Sequence, residues 1–244
     1  MVKRRSSSAA RDLVIVYEDE VIVVVDKPAG LLTVPLARRE RAPSVASMIE
    51  ERFRSHRRRR VFPVHRIDRD TSGLVLFARS ARAQETLKQQ FIRHEPERVY
   101  WAVVDGHPVP QHGTWSDRLA WDPRALKQTV AAARDPRAME AICEYRVIES
   151  FREASLIEVR LRTGRRNQIR IQAALRGHPL IGEGQYAARD ATPAITFSRQ
   201  ALHAHRLGFR HPVDGRELHF ESPLPRDLAA LIASLHVGSK PRRV

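Results

Sequence analysis

Between residues 65 and 80 the chain reads HRIDRDTSGLVLFARS. One histidine, two arginines and two aspartates fall within six residues. The turn signal Thr71-Ser72-Gly73 follows, and then a short apolar run over residues 74–78. A run of that length reads as a buried strand. The fold must therefore deliver a cluster of charges to the entrance of a strand inside a sheet. Carboxylates set among arginines at such a place suit a reactive acid.

The rest of the chain supplies more strands than helices. Residues 13–17 and 21–26 are β-branched runs parted by the acidic turn Glu18-Asp19-Glu20, which predicts a hairpin or meander. Lys27-Pro28-Ala29-Gly30 ends the second run. Pro43-Ser44 opens a helix running to about residue 53, with Ser44 as its cap. Ser80 caps a second helix ending near residue 93, with Ala83, Leu87 and Phe91 as its apolar contacts. Strands are expected at 99–104, 141–147, 156–161 and 202–209, helices at 167–176 and 225–235, and a loop at 131–137. Regular βαβ alternation is missing. The expected class is α+β, with a mixed and largely antiparallel central sheet flanked by helices and loops. With no repeat and no long linker, one domain is expected over residues 13–236, between a flexible basic tail at 1–12 and a basic C-terminal tail at 237–244.

Charge narrows the partner. Lys and Arg number 43 against 28 Asp and Glu, a net charge of +15, which favours a polyanion such as nucleic acid. The block Arg57-Arg58-Arg59-Arg60 is a candidate for phosphate contact. A single cysteine, Cys143, excludes a disulfide framework within the chain and any cysteine-rich metal site. It lies in the alternating run AICEYRV and is expected in the core. No apolar run reaches the length of a membrane span, and the basic N-terminus lacks the apolar stretch of a secretory signal. A soluble cytoplasmic protein is expected.

Two motif matches are rejected. Asp68, Asp70, Ser72 and Gly73 fit positions 1, 3, 5 and 6 of a calcium loop, but the bidentate glutamate required at position 12 is Arg79. Residues 182–187, GEGQYA, fit a loose dinucleotide pattern without a strand before or a helical pattern after.

Six segments carry a resemblance. HRIDRDTSG closely resembles the motif bearing the catalytic aspartate of RluA-type pseudouridine synthases. DKPAGLLTVP (26–35), RVYWAVVDG (98–106), TGRRNQIRIQAALRGHPLIGE (163–183), LHAHRLGFRHPVDG (202–215) and FESPLP (220–225) are similar to further segments of that family, in the same order. The resemblance spans residues 13–235 and implies isomerisation of uridine in RNA to pseudouridine, without metal or organic cofactor. It assigns the catalytic carboxylate to Asp68, a ring stacked on the flipped uracil to Tyr100, and an ion pair that keeps Asp68 charged to Arg170. Arg66 is expected to grip RNA or replace the flipped base, on the same strand face as Asp68. Arg165 and Arg166, with the 57–60 block, are expected to bind RNA. Asp70 is read as a turn residue and His65 as a hydrogen-bonded structural residue. The implied partner is an RNA stem-loop, ribosomal or transfer, met by a monomer, with no membrane and no metal.

The third segment departs from the family's common TGRTHQIRVH. Arg166 stands for its threonine, and Asn167 and Gln172 stand for its two histidines. An arginine-rich stretch at 37–42 replaces a short loop. These changes bear on substrate detail more than on reaction type. Their presence leaves a second class open, a catalytically idle RNA-binding or ribosome-assembly factor on the same fold.

Overall fold

The computed structural model describes residues 13–35, 42–54, 60–125, 127–187 and 194–238. The chain opens with β1 (Val14–Glu18), β2 (Ile22–Lys27) and α1 (Val45–Arg52). The short β3 (Phe62–Pro63), β4 (Ser72–Ala78), α2 (Ala81–Ile92) and β5 (Glu97–Asp105) follow. Next come β6 (His112–Asp122), β7 (Lys127–Val130), β8 (Met139–Ser150), β9 (Ala154–Leu161) and α3 (Gln168–Leu175). β10 (Leu202–Arg210), β11 (Glu217–Glu221) and α4 (Arg226–Gly238) complete the order.

One sheet joins all the strands, in the order β1-β2-β4-β10-β5-β9-β8-β6-β7, with β11 on β10 and β3 on β4. Every pairing is antiparallel except β4 with β10. The class is therefore α+β. The central strands are buried on both faces, and their period of two divides the core. Val23, Val25, Val75, Phe77, Tyr100 and Ala102 pack with α1 and α3 through Val45, Ile49, Ile169 and Ala173. Ile22, Val24, Leu74 and Leu76 face the other way, against Ala83 and Leu87 of α2. On that second face α4 lays Leu228, Leu231 and Ile232 against Val103 and Leu156.

The helix starts follow the capping residues. Ser44 and Ser47 form a reciprocal capping box for α1, and the Ser80 side chain accepts the Ala83 N–H for α2. The expected strands and helices all form. Two boundaries differ from expectation. Residues 65–68 lie outside any strand, so strand alternation does not set the relation of Arg66 to Asp68. The closing helix runs to Gly238, beyond its expected end at residue 235. The tail at 1–12, residues 37–41 and residues 57–59 lie outside the described residues.

The parallel β4–β10 contact positions what precedes β4. Gly73 has φ +109°, and a Cβ there would run into the Ala204 carbonyl of β10. Only glycine permits both the backbone conformation and the approach. β4 can thus enter the sheet at its middle, bringing the 65–71 loop to the start of β10 and beside Tyr100 of β5.

Candidate active site

The 65–71 loop is pinned from both sides of Asp68. Thr33 Oγ1 donates to the Ile67 carbonyl at 3.0 Å. The Arg69 carbonyl accepts from the Lys27 ammonium at 2.8 Å and from the Gly30 N–H at 2.9 Å. Lys27 also donates to the Pro28 and Leu31 carbonyls, and its side chain is completely buried. Burial pulls its ammonium down to about 7, against the pull of Asp70 and Asp68. The DKPAGLLTVP segment thus acts as a clamp on the Asp68 loop. Within the loop, the Thr71 N–H closes a turn on the Asp68 carbonyl. His65 accepts the Leu76 N–H through Nε2 and stacks on Phe91 with ring centroids 4.9 Å apart. Burial drives its imidazole down to about 3, so it is a neutral structural residue, as expected.

This loop forms one wall of a cleft of about 780 Å³. Phe91, Ile92 and His94 at the end of α2, Arg98 and Tyr100 of β5, and residues 164–170 form the others. Tyr100 is 8 % exposed, and burial pushes its hydroxyl up to about 12 against the pull of Arg98. Arg98 is buried beside it, donates to the Arg162 carbonyl and stacks on Phe91.

The opposite wall is the turn leading into α3. Buried Gln168 organises it, its Oε1 accepting from Thr163 Oγ1 at 2.8 Å and from the Arg165 N–H at 2.9 Å. One helical turn places Arg170 over the cleft, with Nη1 3.5 Å from Asp68 Oδ2. The expected pair is present, but Arg170 has a stronger partner. Its Nε and Nη2 each donate to the Glu183 carboxylate at 2.7 Å, and the Glu183 side chain is completely buried. Burial of Asp68 therefore outweighs the opposing pull of Arg170, Arg66 and Arg166, and its carboxyl sits above the ordinary range.

Glu183 is a site residue that the sequence reading misses. It lies in the GEGQYA segment rejected as a dinucleotide loop, where its carboxylate also accepts the Gln185 and Tyr186 N–H groups. The sequence does hold a usable signal. Glu183 is the sole carboxylate in residues 163–187, a stretch with four arginines.

The predicted RNA-binding arginines divide. Arg66, Arg165 and Arg166 line the cleft. Arg166 stacks its guanidinium 4.5 Å from the Trp121 ring, and Arg165 Nε donates to the Glu140 carbonyl. Arg60 stands over Phe62 and is not among the cleft residues, while Arg57, Arg58 and Arg59 fall outside the described residues. Cys143 is buried, donating to Gln172 Oε1 at 3.3 Å, with its thiol pushed up to about 12. No described helix is long and apolar enough to cross a membrane.

Known proteins resemble this chain in sequence and in fold. A family model for RNA pseudouridylate synthase matches residues 21–175. The chain is 37 % identical over 237 residues to ribosomal large subunit pseudouridine synthase D of Zymomonas mobilis, covering 93 % of this chain and 74 % of that protein. It is also 37 % identical over 227 residues to an uncharacterized RNA pseudouridine synthase, YlyB, of Bacillus subtilis, covering 92 % and 73 %. The fold is shared with human RNA pseudouridylate synthase domain containing 4, at a TM-score of 0.75 and 20 % identity over 91 % of this chain and 93 % of that one. The matched residues 21–175 hold the clamp, the Asp68 loop, Tyr100 and Arg170, so the chain belongs to the RNA pseudouridylate synthase family and is an isomerase of that kind.

Proposed function

We propose that the protein converts one or more uridines of structured RNA to pseudouridine, with Asp68 as the reacting carboxylate. Ribosomal RNA is the favoured substrate and transfer RNA the second. The reading rests chiefly on one observation: Asp68 is backbone-pinned, faces the cleft beside buried Tyr100, and is within 3.5 Å of Arg170. The name of the Zymomonas mobilis relative supports the ribosomal substrate.

The reaction breaks the bond from ribose C1′ to uracil N1, turns the base and joins C5 to C1′. A proton leaves C5 and N1 gains one, so substrate and product have the same atoms and no co-substrate enters the balance. An ionised Asp68 serves as nucleophile at C1′ or as base at C2′ on the glycal route. Arg170 favours the ionised form, and Glu183 fixes the guanidinium that does so. The Tyr100 ring offers a stacking face for a uracil extruded from its stem-loop, an extrusion costing a few kcal/mol. With its hydroxyl held near 12, Tyr100 enters the reaction protonated. Arg66 and Arg166 at the rim suit phosphate contacts, which supply affinity rather than sequence choice. All these groups come from one chain, and a monomer suffices.

Tritium release from C5-labelled RNA tests this reading, because joining C5 to the ribose displaces that hydrogen. Wild-type protein should release tritium from unmodified ribosomal RNA and Asp68→Ala should not, while both bind it. Release from transfer RNA alone would correct the substrate. Binding without release from either RNA would favour the idle RNA-binding factor.

A further inference from the structure

Asn167 lies nearer the Asp68 carboxylate than Arg170 does. Asn167 precedes α3 with φ 55° and ψ 21°, a left-handed conformation that asparagine tolerates better than most residues. Although it stands at the helix N-cap, its side chain caps no backbone N–H. One end of its amide lies 3.0 Å from both Asp68 Oδ1 and Oδ2, and the other end is 3.1 Å from Gln185 Oε1 and 3.2 Å from the Tyr186 hydroxyl. Oxygen and nitrogen of an amide are told apart by their partners. An amide oxygen against two carboxylate oxygens is repulsive. With the nitrogen there, both carboxylate oxygens receive a donor, the Tyr186 hydroxyl donates to the amide oxygen, and the exposed Gln185 amide must turn its nitrogen toward that oxygen in place of its own Oε1. Arg170 is farther, at 3.5 Å, and its Nε and Nη2 are taken by Glu183.

We propose that Asn167 is a positioning residue for Asp68: its amide sets the orientation of the carboxylate, and Tyr186 sets the orientation of the amide. The role rests on the reading of Asp68 as the reacting group. It also gives a function to one departure in the third motif. Where the family pattern commonly has a histidine, whose charge can change between pH 5 and 8, this chain has a donor that stays neutral. The charged and titratable groups around Asp68 are then Arg66 on its own loop, Lys27 on β2, Tyr100 on β5, Arg166 and Arg170 at α3, and Tyr186 beyond Asn167. Tyr186 is itself held above its ordinary range by burial.

Two variants separate this role from a merely structural one. Asn167→Gly keeps the left-handed backbone and removes the amide. Asn167→Asp keeps the shape and sets a second carboxylate against Asp68, and it carries the test should glycine loosen the turn. The first readout is the carbon-13 titration of the Asp68 carboxyl in the free protein, its resonance assigned by its loss in Asp68→Asn. The midpoint should rise by about one unit in Asn167→Gly, and by more in Asn167→Asp, where two carboxylates share a proton. The single-turnover rate at pH 7 should fall about tenfold in Asn167→Gly, with the dissociation constant for ribosomal RNA within about twofold. An unmoved Asp68 midpoint would overturn the proposal, as would a loss confined to RNA affinity. Should the wild type release no tritium while the midpoint moves as expected, the proposed function fails and the positioning stands.

Discussion

The Asp68 loop and the Glu183 turn present two carboxylates to one arginine, with opposite emphasis. Glu183 takes two hydrogen bonds from Arg170 at 2.7 Å, two more from backbone N–H groups, and leaves no side-chain surface exposed. Asp68 takes from Arg170 only one long contact at 3.5 Å, has the neutral amide of Asn167 as its nearer neighbour, and keeps 25 % of its side chain open to the cleft. The first arrangement saturates a charge and anchors a guanidinium. The second leaves lone pairs available, and burial makes the ionised state costly. A fully satisfied carboxylate is a poor nucleophile or base, while an incompletely satisfied one retains reactivity at a cost in stability.

The largest expected difference is in turnover. Asp68→Asn should lower single-turnover release by a factor on the order of 10⁴ or more. The same variant should melt no lower than wild type at pH 8, and higher if ionised Asp68 opposes the fold. The sign follows from its raised carboxyl. Such a group contributes its full stability only while protonated, and that contribution is lost as pH rises through the folded-state value. A clear drop in melting temperature at pH 8 would erase the contrast between the two carboxylates.

Glu183→Gln should do the reverse. Removing one partner of a buried pair leaves Arg170 with only its long contact to Asp68 and should cost about 3 kcal/mol in urea unfolding. Arg170, released toward Asp68, should also move the acid limb of the pH–rate profile down. Unchanged stability would mean that Glu183 is not the anchor.

Gly73→Ala probes the backbone that delivers Asp68. Its φ of +109° and the Ala204 carbonyl both oppose a Cβ, and about 2 kcal/mol of stability should be lost. A near-wild-type urea midpoint would show that β4 and β10 separate easily.

The smallest effect is expected at the rim. Arg66→Gln and Arg166→Gln should each reduce the salt slope of RNA binding by about one unit while leaving the chemical step within a few-fold. A large loss of rate at saturating RNA would move either residue from the rim into the chemistry.

Much of the site is legible in the sequence because its residues sit at element boundaries with strong local signals. The apolar 74–78 run behind HRIDRDTSG marks β4 and places Asp68 at its entrance. Ser44 and Ser80 mark the starts of α1 and α2. The β6–β7 hairpin escapes such a reading because HGTWSDRLAWD is half polar, and only Trp115, Leu119 and Ala120 of β6 are buried. β11 escapes it for the same reason, its exposed and half-buried positions alternating over only five residues. Glu183 and Asn167 depend on tertiary contact. One lies thirteen residues beyond Arg170 and the other uses a left-handed turn, and neither spacing marks a pair in a sequence. The Asp68–Arg170 pair is expected from the motifs, but its weakness follows from Glu183 and shows only in three dimensions.

The most direct test of this division between the carboxylates is the pH dependence of single-turnover tritium release from C5-labelled ribosomal RNA. If Asp68 reacts in its ionised form from a buried site whose charge is only weakly paired with Arg170, the rate should fall on acidification with a midpoint clearly above about 4, the ordinary aspartate value. In Glu183→Gln that midpoint should drop. A rate that stays flat down to about pH 4 in the wild type, with the RNA still bound, would contradict the assignment of Asp68 as the partly released, reacting carboxylate.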